Sequence, residues 1–269
     1  MPSALSTPPL VIAHRGASGA APENTGLAIT TAIDLGAHMV EVDVQLSRDG
    51  HPVIFHDLNL ARTVCSSQHS RRALKSLRIS DLTLKEIKQF DVGSWKHRKF
   101  AGLSIPTLAE ILLLCEGRIS LNLELKVPPS AEEEGRMGRE LLQRLSDAFT
   151  VYRTEEPVLI SSFDLQVLDL ARAVLPEIRL GVLRQAGGPL ETLRIAARLK
   201  AFSVHLPCRE IRPALVKSAH AHGLRLFAYT ADSAWIFGRL IAAGVDGIFT
   251  NVPDRMRNLI RHAVAQDKC

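Results

Sequence analysis

The chain has 269 residues, 46% of them apolar, and a formal charge of +5, which is enough for the full core of one α/β-barrel-sized domain. Its basic residues are dispersed apart from short clusters at Arg71-Arg72 and Lys96 to Lys99, with few aromatics between them. That pattern speaks against nucleic acid as a partner and leaves a mild attraction for small anions.

In chain order, Leu10 to His14 is an apolar run closed by Arg15-Gly16, a first strand ending in a loop. Asn24 or Thr25 caps a helix through Leu35, and Gly36 ends it. The next strand, from His38 to Asp43, continues into MVEVDVQLSRDGHPVIFHD, where Asp49-Gly50 between alternating apolar runs is a hairpin signal. No crossover helix fits between Glu41 and His56, so the two arms are antiparallel. Folding back about Arg48 to Gly50 brings His56 to the level of Val42, give or take a residue. From Leu58 to Pro106 the pattern weakens, with one short helical signal at Leu82 to Gln89; a connection this long is an insertion of about 58–106 and reads as a lid or a disordered segment.

From Thr107 the rhythm is regular. Strands at Ile119–Lys126, Pro157–Phe163, Ile178–Leu183, Phe202–Leu206, Leu224–Thr230 and Gly247–Thr250 alternate with helices, and the last helix starts after Asn251. Eight parallel strands, each followed by a helix, predict a (β/α)8 TIM barrel of the α/β class, in one domain spanning 1–269, with a metal-bearing β-hairpin after strand 2 and a small insertion following it. Such barrels carry their sites at the C-terminal ends of the strands. His14-Arg15, Glu41, Asp43, Glu124, Lys126, Ser161, Ser162, His205, Tyr229 and Thr230 all fall there.

Val40, Val42 and Val44 alternate with Glu41, Asp43 and Gln45, so both acids share one strand face roughly 6.6 Å apart along the chain. In LNLELKV, Asn122, Glu124 and Lys126 share the face opposite the leucines and point into the barrel mouth. Three carboxylates with no thiolate among them suit a hard cation, magnesium or calcium, better than zinc. Arg15 and Lys126 offset the acid charge. The pocket fits a phosphate ester: the metal polarises a phosphoryl oxygen, the cations hold the others, and two histidines move protons.

The pieces HRG at His14, APENT at Ala21, EVDVQLSRDGHPVIFHD at Glu41, LELK at Leu123, SSF at Ser161 and the closing GVDGIFTN resemble the glycerophosphodiester phosphodiesterase family over Val11 to about Asp254. The single-domain bacterial cytosolic members are most similar in length and pattern. The resemblance implies a TIM barrel that hydrolyses deacylated phospholipids to sn-glycerol 3-phosphate and an alcohol. It implies one divalent cation, magnesium or calcium, on Glu41, Asp43 and Glu124. It implies His14 and His56 as the acid/base pair and Arg15 and Lys126 as phosphate contacts. Where many relatives carry Trp-Thr on the seventh strand, this chain has Tyr229-Thr230, a change at the alcohol pocket.

Sequence leaves open which histidine is the acid, although the hairpin position and the neighbouring Asp57 favour His56. Glu23 and Asn24 match a family motif, and a helix cap with an Arg15 orienter is preferred over ligand contact. His205 reads as a hydrogen-bonded core histidine, and His38, His97, His220 and His222 as surface. Residues 132–134 read as solvated acids at a helix N-terminus. Trp95 and Phe100 either line a lid or pack the insertion.

Cys65, Cys115, Cys208 and Cys269 lack the paired spacing of zinc or redox motifs and predict reduced thiols. The start, MPSALSTPPLVIAHRG, has no basic n-region, and no run approaches the ~18 apolar residues of a membrane span. A cytoplasmic protein with a small-molecule glycerophosphodiester substrate and no stable membrane anchor is the expectation; nothing sets an oligomeric state. A phospholipase C- or D-like enzyme on intact lipids, a non-catalytic phosphodiester-binding barrel and a metal-dependent sugar isomerase or aldolase barrel are the competing readings. The first lacks an amphipathic anchor, and the second has no use for two histidines.

Overall fold

The computed structural model describes residues 8–66, 69–127, 131–152 and 157–266; the side chains of 132–134 and Cys269 lie outside the described residues. The strands are β1 (Leu10–His14), β2 (Met39–Leu46), β3 (Pro52–Ile54), β4 (Ser120–Leu125), β5 (Val158–Ser162), β6 (Arg179–Leu183), β7 (Ser203–Pro207), β8 (Arg225–Tyr229) and β9 (Gly247–Thr250). All but β3 run parallel, and β9 and β2 both pair with β1, which closes the ring. The α-helices are α1 (Gly26–Asp34), α2 (Arg71–Ser76), α3 (Leu84–Ile87), α4 (Leu108–Cys115), α5 (Ala131–Val151), α6 (Leu165–Val174), α7 (Pro189–Arg198), α8 (Pro213–Ala221), α9 (Ala234–Ala243) and α10 (Pro253–Gln266). Leaving aside α2 and α3, a helix follows each barrel strand, and the expected TIM barrel forms.

Side-chain alternation decides what lies on each side of the wall. Val40, Val42 and Val44 of β2 and Leu121, Leu123 and Leu125 of β4 pack outward in the main core with α4, α5 and α6. The alternate positions face inward, where Ile12, Met39, Leu159, Phe227 and Phe249 fill the lower barrel. Above that plug the same inward positions turn polar. Strand register then sets the level of each group: His14, Glu41 and Asn122 lie side by side, and Asp43, Glu124 and Ser161 form the next row.

The hairpin follows its predicted register. Val44 pairs with Ile54, and the Phe55 N–H donates to the Asp43 carbonyl at 2.9 Å, which sets His56 opposite Val42. Gly50 takes the left-handed conformation at φ 78 that closes the turn. The Gln45 amide donates to the carbonyls of Phe55 and Asp57 at 2.7 and 2.9 Å, which fastens the end of the return arm.

The segment after the hairpin differs from the expectation. The helical signal at Leu82 to Gln89 is realised as α3 alone, capped by Thr83 with Glu86, behind a 3₁₀ turn at Ile79–Asp81. α2 was not foreseen, because RRALKS is polar with one buried residue, Leu74, and starts only from the Ser70 cap. Leu60, Val64, Leu74, Ile79, Ile87, Phe90, Val92 and Ile105 form a second core that takes in Val53 and Phe55 of the hairpin. Burying each such side chain contributes about 1.5–3 kcal/mol, so this segment is held by packing. Trp95 donates its indole N–H to the Val92 carbonyl at 2.8 Å.

Candidate active site

Carboxylate oxygens of Glu41, Asp43 and Glu124 lie within 4.8 Å of one another at the mouth of the barrel, all three buried. Asp43 is the best supported of them. It lies 3.4 Å from Arg15 Nε and 3.2 Å from Lys126 Nζ, and it accepts from Asn24 Nδ2 at 2.8 Å. Burial works against its charge, but Lys126, His56 and Arg15 outweigh it and hold its carboxyl below the usual range.

Glu41 is in the opposite state. Burial, then the charges of Asp43 and Glu124, push its carboxyl well above the ordinary glutamate value. The Arg15 N–H donates to Glu41 Oε2 at 2.8 Å, aimed there by the left-handed backbone of Arg15 at φ 57, but Oε1 is buried without a hydrogen-bond partner. Glu124 touches Lys126, yet burial and Asp43 still raise it. An unsatisfied buried polar group costs about 1–3 kcal/mol. An oxygen-only donor set, short of positive charge and carrying an orphaned carboxylate oxygen, fits a hard divalent cation.

Two histidines flank the cluster, each anchored through Nδ1. His14 Nδ1 lies 2.9 Å from Asn251 Oδ1, while Asn251 donates through Nδ2 and its backbone N–H to Asp232 at 2.6 and 2.7 Å. With the amide hydrogens committed to Asp232, Oδ1 accepts, so His14 Nδ1 carries the hydrogen and Nε2 is left as an acceptor. Burial, then Arg15, lowers the His14 pKa and favours the neutral ring. His56 Nδ1 lies 2.6 Å from Asp57 Oδ1. Burial works against the Asp57 charge, but hydrogen bonds from His56 and Arg62 hold its carboxyl well below the usual range. One histidine is thus backed by a neutral amide and the other by a carboxylate.

His14, Arg15, Glu41, His56, Glu124 and Lys126 line one cavity of about 250 Å³, with Asp43 behind them. All seven residues singled out from the sequence therefore come together. His205 shares the cavity wall but is tied to Ser203 Oγ at 2.9 Å and stacked on Phe227, and burial pushes its pKa down to about 3. Gly181 makes room for it, since a Cβ there would come within 2.7 Å of His205 Nε2. Among the described residues, those lining the cavity include none of 58–106, while Lys96 of that segment donates to the Ser18 carbonyl at 2.6 Å in the loop after β1. A larger groove of about 1020 Å³ between α8 and α9 shares Tyr229 and Thr230 with the cavity but is lined by no acid or histidine.

Several supporting residues were missed or misread. Thr25 caps α1 by accepting from the Ala28 N–H, which frees Asn24, at φ 56, to hold Asp43. Glu23 does orient Arg15, at 2.7 Å, and it also accepts from Arg62. Asn251, behind His14, was legible only as the polar residue ending GVDGIFTN. His38 accepts from the Val11 N–H and meets Arg257, so it is a joint between β1 and α10 rather than a free surface group.

Residues 14–255 match the model of the glycerophosphoryl diester phosphodiesterase family. The chain is 38% identical to a glycerophosphodiester phosphodiesterase of Caldanaerobacter subterraneus subsp. tengcongensis, over 94% of this chain and 98% of that one. It is 30% identical to a Bacillus subtilis glycerophosphodiester phosphodiesterase over 91% and 84%. Among solved structures it is similar to an Oleispira antarctica phosphodiesterase in complex with the product sn-glycerol-3-phosphate, at TM-score 0.84 and 32% identity over 94% and 97% of the two chains. Fold, site and relatives agree: the chain belongs to the glycerophosphoryl diester phosphodiesterase family and is an enzyme of that kind.

Proposed function

We propose that the chain hydrolyses glycerophosphodiesters, the deacylated phospholipids, to sn-glycerol 3-phosphate and an alcohol, with His14 as base and His56 as acid. The observation that carries this reading is the pair of histidines, both lining the cavity and each fixed through Nδ1 by a residue outside that lining, which leaves Nε2 free of that contact. The product bound by the Oleispira relative supports the choice of the glycerol phosphate half.

Glu41, Asp43 and Glu124 would hold one divalent cation, magnesium or calcium, which when bound polarises a phosphoryl oxygen and offsets the acid charge. Arg15 and Lys126 face the remaining phosphoryl oxygens and disperse the charge that builds on them. His14, neutral and presenting Nε2, takes the proton of the attacking hydroxyl: either water, which gives the product directly, or the substrate's own neighbouring hydroxyl, which gives a cyclic phosphate that water then opens to sn-glycerol 3-phosphate. His56 gives a proton to the departing alkoxide, and Asp57 holds its ring through Nδ1. The inward plug below the acids closes the barrel floor and keeps bulk water on one side. A cytoplasmic location belongs to this reading, in keeping with the lack, among the described residues, of any helix long and apolar enough to cross a membrane.

The test is an assay with magnesium or calcium supplied, across glycerophosphocholine, glycerophosphoethanolamine, glycerophosphoglycerol and glycerophosphoinositol, coupled to detection of glycerol 3-phosphate. Turnover of several members with release of that product is expected, and exhaustive chelation should abolish it. Release of the phosphorylated alcohol instead, or full activity after chelation, would overturn the reading.

A further inference from the structure

We propose that Arg62, carried by the segment after the hairpin, is a positioning residue that holds the acid His56 through Asp57 and the phosphate-facing Arg15 through Glu23. The proposal rests on the roles given above to His56 and Arg15. Arg62 Nε donates to Asp57 Oδ2 at 2.6 Å and Nη2 to Asp57 Oδ1 at 3.0 Å, a two-pronged grip on the carboxylate that receives His56 Nδ1. The same guanidinium donates to Glu23 Oε2 at 2.8 Å and Oε1 at 2.7 Å, and Glu23 in turn accepts from Arg15 Nη1 at 2.7 Å. One planar fork therefore joins the two functional side chains, and a lysine, with a single ammonium, cannot grip both carboxylates in the same way.

Its placement argues for a role in geometry. The Arg62 side chain is 44% exposed while Glu23 and Asp57 are 13% and 21% exposed, and a two-pronged network of this kind fixes direction besides what it adds to folding. What the fork supplies is direction: Asp57 has a second oxygen through which it would otherwise swing, and His56 would follow it. Arg62 itself is not among the residues that line the cavity. The segment that carries it packs against Val53 and Phe55 of the hairpin, which ties Arg62 to the arm that bears His56.

Wild type, Arg62→Ala, Arg62→Lys and His56→Ala are compared in the metal-loaded enzyme on glycerophosphocholine and on a p-nitrophenyl ester of glycerol phosphate, whose leaving group departs without a proton. The downfield imidazole N–H resonance of His56 is recorded by proton NMR for the first three. The expected results for Arg62→Ala are a fall of about 10- to 100-fold in kcat on glycerophosphocholine, a smaller fall on the nitrophenyl ester where only the share due to Arg15 remains, and a shifted or broadened resonance with at most a modest fall in Tm. Arg62→Lys should fall between. An unchanged resonance, an unchanged kcat on glycerophosphocholine, or equal losses on both esters alongside a large fall in Tm would each overturn the proposal. If His56→Ala itself shows no dependence on leaving group, the acid role of His56 fails, and the resonance still reports whether Arg62 holds the ring.

Discussion

Replacing Glu41 with glutamine separates the cost of the acid cluster from its use. The three carboxylates approach within 4.8 Å, and two unit charges at that distance repel by about 3 kcal/mol at an effective dielectric constant near 20. Burial and the two neighbouring acids raise the Glu41 carboxyl well above the ordinary value, which favours its protonated form and eases part of this repulsion. The sign follows: metal-free stability present below the ordinary glutamate range is lost as pH rises toward the raised folded value. Glu41→Gln removes that loss and should stabilise the chelated protein by about 1–3 kcal/mol, or roughly 2–10 °C in Tm for a chain of this size. The same change removes a ligand, so the rise in Tm that magnesium or calcium gives the wild type should shrink or vanish. Thermal unfolding in chelator and again with added cation reads both effects. A variant less stable than wild type in chelator that keeps the full cation-induced rise would refute the reasoning.

Asn251→Ala leaves His14 Nδ1 without its acceptor at 2.9 Å and should lower kcat by about 10- to 100-fold with a small change in KM, less than the loss on removing His14 itself. Ile79→Ala, in the core shared by the hairpin and residues 58–106, should cost about 2–5 kcal/mol in denaturant unfolding while leaving the order of preference among headgroups unchanged. His205, whose pKa burial pushes down to about 3, stays neutral in the fold while the unfolded chain takes a proton near 6.5. It therefore makes stability fall as pH drops from about 6.5 toward 3, by up to about 1.4 kcal/mol per pH unit, and His205→Gln should flatten that slope in unfolding curves measured across this range.

The barrel was legible because each wall strand has two different neighbours. Outward valines and leucines meet helices, inward positions meet the plug or the site, and period-two alternation records both. The hairpin was legible for a similar reason: a turn signal at Asp49-Gly50 and strict alternation leave one register, and that register delivers His56 beside Asp43. What sequence did not disclose is the layer behind the site. Asn251 meets His14 across a separation of 237 residues and Arg62 meets Glu23 across 39, and no local periodicity encodes such contacts. Asn24 was misread because its place just before a helix suits a cap as well as a tertiary contact; Thr25, one residue later, takes the cap. The segment at 58–106 reads from sequence as a lid or a disordered segment because it is long and its pattern is weak; its apolar residues form a small core of turns and short helices that has no period to detect.

The central claim is that the two histidines have different jobs because different groups stand behind them: a neutral amide behind His14, a carboxylate behind His56. The direct measurement is kcat for His14→Ala and His56→Ala, with metal supplied, on glycerophosphocholine and on the p-nitrophenyl ester of glycerol phosphate. Both variants should lose about 10²- to 10⁴-fold on glycerophosphocholine. On the nitrophenyl ester His56→Ala should recover most of its rate, because that leaving group needs no proton, and His14→Ala should not. Recovery by His14→Ala in place of His56→Ala, or equal losses by both variants on both esters, would contradict the account.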